Sequence, residues 1–290
     1  TMGYASITAH SRANWLAVAK GFSRYFWAAE HYAHENLFGR YLSYGSLQIL
    51  TAKDSSIVSP KTSGWIEEGF DWARVPGATA IKLPIEKMRA AKNKSELLLS
   101  DESFVGGITQ ENSNGAYAIK LHEHGRYEGS HRARKSYHFF DNRIICLGSN
   151  IENENSEYHT ETTIFQLAIL NKGDFSYWEK HTRFKSRWID HLGTAYYISP
   201  QTTEKLVFEK SYPQKSKLNT GKLSQGDWIN LTIDHGISPN GETYEYVIIP
   251  QATQKELDTI EDSYEVLQKD KNAHIVKDLK SKTTSFVFFE

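Results

Sequence analysis

Tyr137-His138-Phe139-Phe140-Asp141-Asn142-Arg143-Ile144-Ile145-Cys146-Leu147 is the stretch that decides the fold. Two runs of aromatic and β-branched residues, the types that suit a pleated, packed surface, flank a short polar segment, Asp141-Asn142-Arg143, that reads as a turn. This is a hairpin spanning Ser136 to Gly148. Working outward, Thr162 to Leu170 reads as another strand. Pro239-Asn240-Gly241 before Tyr244-Glu245-Tyr246-Val247-Ile248-Ile249 reads as turn then strand. Ile7 to Tyr25 and Tyr41 to Leu50 read as further strands, and the last ones fall near Ile275 and Phe286-Val287-Phe288-Phe289.

Helical signals are few. Thr253 and Glu256 form the pattern T-x-x-E of a capping box, and Leu257, Ile260, Tyr264 and Leu267 follow at helical spacing. A helix from about Thr253 to Gln268 is expected, with a short one through Pro84 to Arg89. Many short strands, one or two short helices and no repeat of 20–50 residues predict an all-β fold, a large antiparallel β-sandwich occupying residues 1–290 as one domain. The apolar end near Phe289 suggests that more chain follows, and the abrupt strand-like start at Thr1 that residues precede it.

Composition fits this reading. Of 290 residues 13% are aromatic, including 16 Tyr and 7 Trp. That enrichment suits β-cores first and carbohydrate stacking second. The formal charge is −1, so any acidic partner needs a local basic patch rather than a global field. One cysteine, Cys146, excludes an intrachain disulfide and a cysteine-based zinc site. No apolar run is long enough to span a bilayer, and Thr1-Met2-Gly3-Tyr4 does not open a signal peptide. The nucleotide-binding glycine motifs, H-E-x-x-H and G-x-S-x-G are all missing, and neither nucleic acid nor membrane is an expected partner.

Three segments carry candidate chemistry. His122-Glu123-His124 places two imidazoles on one face of a strand; without a third ligand it reads as exposed strand residues rather than a metal site. His131-Arg132-Ala133-Arg134-Lys135, with Arg126 nearby, reads as a solvated strand edge or as a contact for sulfates and carboxylates. The densest is Arg24-Tyr25-Phe26-Trp27-Ala28-Ala29-Glu30-His31-Tyr32-Ala33-His34-Glu35-Asn36-Leu37-Phe38-Gly39-Arg40-Tyr41. It crowds carboxylates, imidazoles, an amide and guanidinium groups into one loop, and Glu30 there could serve as acid, base or orienting acceptor.

At this loop the sequence resembles the polysaccharide lyases of family eight, the chondroitin ABC, chondroitin AC, hyaluronate and xanthan lyases, and most of all the broad-specificity chondroitin ABC type. The likeness is carried by W-A-A-E-H-Y-A-H-E-N-L-F-G-R-Y-L-S-Y-G at 27–45, E-E-G-F-D-W-A-R-V-P-G-A-T-A at 67–80, A-R-K-S-Y-H-F-F-D-N-R-I-I-C-L-G-S-N-I at 133–151 and T-E-T-T-I-F-Q at 160–166, and weaker blocks continue to 275. It implies the central, supersandwich-type β-sandwich of a larger lyase, with a helical toroid domain upstream and a small β domain downstream.

The resemblance further implies cleavage of chondroitin or dermatan sulfate by β-elimination at the uronic acid, giving 4,5-unsaturated products. The tyrosine, histidine and arginine of that chemistry belong to the helical domain and match no segment here, so the chain alone is expected to be catalytically incomplete. Its share is the β-sandwich wall of the cleft and the catalytic glutamate, Glu30, with Trp27, Asn36 and Arg40 as substrate-binding residues. Ala33 departs from relatives that carry Asn there, which bears on sulfation preference. No cofactor is expected in this chain, and no metal residues are assigned; the resemblance admits a Ca or Mg ion in the parent enzyme. The implied partners are an acidic polysaccharide and the upstream helical domain, and the implied location is periplasmic or secreted. Two competing expectations are a noncatalytic carbohydrate-binding β-sandwich module and a purely structural domain.

Overall fold

A computed structural model describes residues 1–289 apart from 32–34, 53–56, 91–95, 112, 128 and 181–185; the side chains of His31, Glu96 and Arg126 also lie outside the description. Tyr32, Ala33 and His34 of the candidate loop therefore fall outside the described residues.

The hairpin forms as the sequence reads. Arg132–Phe140 pairs antiparallel with Arg143–Glu152, Arg143 facing Phe140. The turn is thus the two residues Asp141 and Asn142, and Asp141 takes a φ of 50°, a left-handed conformation that Asp tolerates. This hairpin sits in the middle of a seven-stranded sheet in the spatial order Arg187–Ile189, Ala195–Ile198, Glu242–Ile249, Arg143–Glu152, Arg132–Phe140, Asn114–His122, Val105–Gln110. A four-stranded sheet, Leu206–Lys217, Leu223–Ile237, His159–Ala168 and Thr79–Ile81, shares a core with it. Every pairing is antiparallel.

The run Ile144-Ile145-Cys146-Leu147 does not alternate with polar residues because both faces of its strand are covered. Ile144 and Cys146 join the main core with Phe165, Trp178, Trp228 and Tyr246. Ile145 and Leu147 pack on the opposite face with Val247, Leu257, Ile260 and Val276. That second layer comes from a C-terminal three-stranded sheet, Tyr264–Lys269, Ala273–Asp278 and Thr283–Phe288, and the short helix before it.

Several expectations need correction. The helix from Thr253 stops early: its capping box is present, but it spans Gln254–Asp258, a 3₁₀ turn follows at Glu261–Ser263, and Tyr264–Lys269 is a strand. Pairing with Ala273–Asp278 overrides the helical spacing. Leu257, Ile260 and Tyr264 are still buried, whereas Leu267 is half exposed. Four short helices occur among the described residues rather than one or two, namely Ile85–Met88, Lys172–Glu179, Pro200–Thr203 and Gln254–Asp258. Lys172–Glu179 is capped by Asn171, whose side chain accepts from the Asp174 amide, and it buries Trp178. The Tyr41 to Leu50 strand begins only at Ser46, after a 3₁₀ turn at Gly39–Tyr41 and Gly45 at φ +63°. Between Ile7 and Tyr25 the strands are Ile7–Arg12 and Trp15–Lys20.

The basic run is not a strand edge either. Arg132–Phe140 has a neighbour on each side, and His131 and Lys135 are fully buried. Lys135 Nζ donates to the carbonyls of Tyr44 (3.1 Å), Gly45 (2.9 Å) and Gly77. His122 and Glu123 are likewise buried rather than exposed, and the strand ends at His122.

Candidate functional site

The strands Trp15–Lys20 and Ser46–Thr51 pair so that Val18 faces Gln48 and Lys20 faces Ser46. Period-two alternation puts these side chains on one face of the small N-terminal sheet. Above that face runs the candidate loop. Together they enclose an open cleft of ≈ 550 Å³ lined by Val18, Lys20, Glu30, Asn36, Leu42 and Gln48, with Ala28, Ala29, Glu35 and Ser46 completing it.

Glu30 lies on the rim, exposed, in the two-residue strand Glu30–His31 that pairs with Glu96–Leu97. Ala28 just before it is anchored, its N–H donating to the Leu98 carbonyl at 2.8 Å and its carbonyl accepting from the Ser43 hydroxyl. Asn36 lines the same cleft and donates from Nδ2 to the Glu30 carbonyl at 2.7 Å. Among the described lining residues Lys20 is the one cationic side chain, and burial lowers the pKa of its ammonium. The sequence reading passed over Lys20. The alternation of Leu16, Val18 and Lys20 along one strand face was the available signal.

Trp27 is 48% exposed beside the cleft but does not line it. Arg40 is placed differently from the expectation of a cleft-facing residue. It is buried, its Nη2 donates to Glu123 Oε1 at 2.5 Å, and its guanidinium lies 3.4 Å from the Tyr127 ring centroid. It lines a separate pocket of ≈ 370 Å³ with Lys87, Glu123, Tyr127, Asn155 and Tyr158. The structure thus brings Glu30 and Asn36 together, sets Trp27 alongside, and turns Arg40 into the interior.

His122 Nδ1 contacts Asp101, and its Nε2 lies 2.6 Å from the Gly129 carbonyl. Among the described residues no three His, Cys, Asp or Glu side chains converge as a metal site. No helix among the described residues is long and apolar enough to cross a membrane.

Comparison with known proteins identifies the family of the fold. The model of the polysaccharide lyase family 8 super-sandwich domain matches residues 4–260. A chondroitin sulfate ABC exolyase of Bacteroides thetaiotaomicron is 49% identical over all of this chain and 29% of its own length. A chondroitin sulfate ABC exolyase of Proteus vulgaris is 36% identical over all of this chain and 30% of its own length. The chain therefore spans less than a third of these curated relatives. Among solved structures, a chondroitin AC lyase of Streptomyces coelicolor in complex with chondroitin sulphate superposes with a TM-score of 0.77 at 21% identity, covering 98% of this chain and 37% of that one. A Paenibacillus xanthan lyase superposes with a TM-score of 0.75 at 18% identity, covering 98% and 28%. Both likenesses concern the fold. With the family match over residues 4–260 and the two exolyases in agreement, this chain belongs to polysaccharide lyase family 8.

Proposed function

We propose that this chain forms the β-sandwich wall of a glycosaminoglycan lyase cleft and lends Glu30 to the catalytic network for chondroitin or dermatan sulfate. The observation that carries the reading is the position of Glu30, exposed at an open cleft that it lines with Lys20 and Asn36, in a chain that matches the family over 4–260.

The reaction is a β-elimination. A base takes the proton on C5 of the uronic acid, that electron pair becomes the C4–C5 double bond, the C4–O4 bond breaks, and O4 leaves with a proton. The C5 proton is only weakly acidic, so negative charge accumulating on the carboxylate side must be stabilised. Lys20 at the cleft floor is this chain's cation for a uronate or sulfate group. A groove that excludes water strengthens such a contact. Glu30 accepts hydrogen bonds from groups on the opposite wall and orients them for proton transfer. Those groups, a tyrosine, a histidine and an arginine, are assigned to a helical domain outside this chain, in a protein that acts in the periplasm or outside the cell.

Incubating the chain with chondroitin sulfate and dermatan sulfate, and following ultraviolet absorbance of the unsaturated uronate, tests this reading. The chain alone gives no rise, and the full-length polypeptide containing it does. A rise from the chain alone would mean that base and acid lie within these residues. Binding without turnover in the full-length polypeptide would favour a carbohydrate-binding module.

A further inference from the structure

Glu30 opens a strand two residues long that pairs with Glu96–Leu97. What holds its backbone from the other side is a chain of amides that begins far from the cleft. Asn36 donates from Nδ2 to the Glu30 carbonyl at 2.7 Å. Asn36 Oδ1 accepts from the Gly39 amide at 3.1 Å and from Asn219 Nδ2 at 2.9 Å. The orientation of the Asn36 carboxamide is fixed because a backbone N–H can only donate.

Asn219 sits in the turn between the strands Leu206–Lys217 and Leu223–Ile237 and does not line the cleft. Its groups are all engaged. Oδ1 accepts from the Phe38 amide at 2.9 Å, the backbone carbonyl accepts from the Leu37 amide at 3.2 Å, and the backbone N–H donates to Glu67 Oε1 at 2.5 Å. Three of its contacts therefore clamp residues 36–38, and the fourth ties the turn to the segment at Glu67. Gly39 fits the same arrangement: a Cβ there would lie 2.2 Å from Asn36 Oδ1, so only glycine lets the carboxamide fold over that position. A side chain whose carbonyl and amide groups are both hydrogen-bonded in this way is held in one rotamer.

We infer that Asn219 is a positioning residue for the reaction: acting through Asn36, it sets the height and direction of Glu30 over the cleft. This rests on the proposed catalytic role of Glu30. Misplacing a catalytic group by about an ångström costs on the order of a hundredfold in rate even when the mutation is remote.

The test is steady-state turnover of chondroitin sulfate by the full-length polypeptide, comparing N219A and N219D with wild type and E30Q across pH. N219D keeps the Oδ1 acceptor for Phe38 and both backbone contacts, and loses only the donor to Asn36. At neutral pH both variants are expected to lose about ten- to a hundredfold in kcat with KM changed less than about threefold. As pH falls, the introduced carboxyl takes up a proton and regains a donor. The ratio of N219D to wild-type kcat then rises, while the N219A ratio stays flat. A purely structural role predicts no such pH-dependent rescue. If E30Q is inactive and N219D turns over like wild type, or its ratio is flat with pH, the positioning role is overturned while Glu30 stands. If E30Q itself turns over like wild type, both are overturned.

Discussion

The Arg40 guanidinium and the Glu123 carboxylate meet in the interior, Nη2 2.5 Å from Oε1, with only 5% and 2% of the two side chains exposed. The Tyr44 hydroxyl donates to the same Oε1 at 3.2 Å, and the Tyr127 ring stacks on the guanidinium. The pair joins the end of the candidate loop to the residue after the strand Asn114–His122. Its attraction offsets the cost of burying both charges, and neither charge is tolerable there alone. Arg40→Met is expected to destabilise the chain by about 3–5 kcal/mol, and the double variant R40M/E123Q by less than either change summed. Urea unfolding of the four proteins measures this. Additive losses would show that the two groups are not coupled.

Lys135 presents a different buried group, its Nζ satisfied by carbonyls instead of a carboxylate. Burial drives its pKa well below the usual lysine value. Tyr137 donates to two of the same carbonyls, those of Gly45 and Gly77. The pair fixes the Gly45 turn that launches Ser46–Thr51, whose Ser46 and Gln48 line the cleft. Lys135→Met strips a donor from three buried acceptors, at a cost of about 1–3 kcal/mol for each left unsatisfied. The thermal midpoint is expected to fall by several degrees at least. An unchanged midpoint would mean that Tyr137, on the Gly45 and Gly77 carbonyls, and the Thr79 amide, on the Tyr44 carbonyl, satisfy them without the lysine.

A hydrogen-bonded file joins the seven-stranded sheet to the C-terminal sheet. Ser149 donates to the Asp270 carbonyl at 2.8 Å, so it must accept from His274 Nε2. His274 Nδ1 then accepts from Ser136, which accepts from His138 Nε2, and His138 Nδ1 accepts from Ser285. Both imidazoles are neutral in this file. Burial pushes His138 down to about 3 and His274 well below its ordinary value; Arg134 and Lys269 add to the latter shift and Asp270 opposes it. The ordinary value is 6.5, so the unfolded chain binds protons that the folded one refuses. Stability is full above that value and lost as pH falls below it, by about 1.4 kcal/mol per pH unit for each histidine. His138→Asn is expected to reduce the pH slope of unfolding free energy between about pH 4 and 6 by that amount. An unaltered slope would contradict the neutral file.

Much of this architecture was legible from local pattern. The hairpin at Asp141-Asn142 and the strand after Gly241 announce themselves through turn residues and β-branched runs. The Thr253–Glu256 cap does the same for a helix start. The helix end was not legible, because Leu257, Ile260 and Tyr264 keep one face buried whether the chain stays helical or turns into a strand; the deciding partner, Ala273–Asp278, lies beyond them. Glu30 and Asn36, pointed to in the crowded loop by the family resemblance, line one cleft. Asn219 could not be read in advance, being 183 residues from Asn36 in an unremarkable turn. Lys135 and Glu123 were misread as surface residues since charge ordinarily marks exposure, and only the fold reveals the carbonyls and the guanidinium that hold them.

The central claim is that Glu30 belongs to the catalytic network, and the most direct measurement is the turnover of E30Q in the full-length polypeptide with chondroitin sulfate. The exchange keeps size and shape, removes the charge and replaces one acceptor oxygen with an amide donor on an exposed side chain. A loss in kcat of at least about a hundredfold is expected, with an unfolding midpoint equal to wild type. Turnover at the wild-type rate would contradict it.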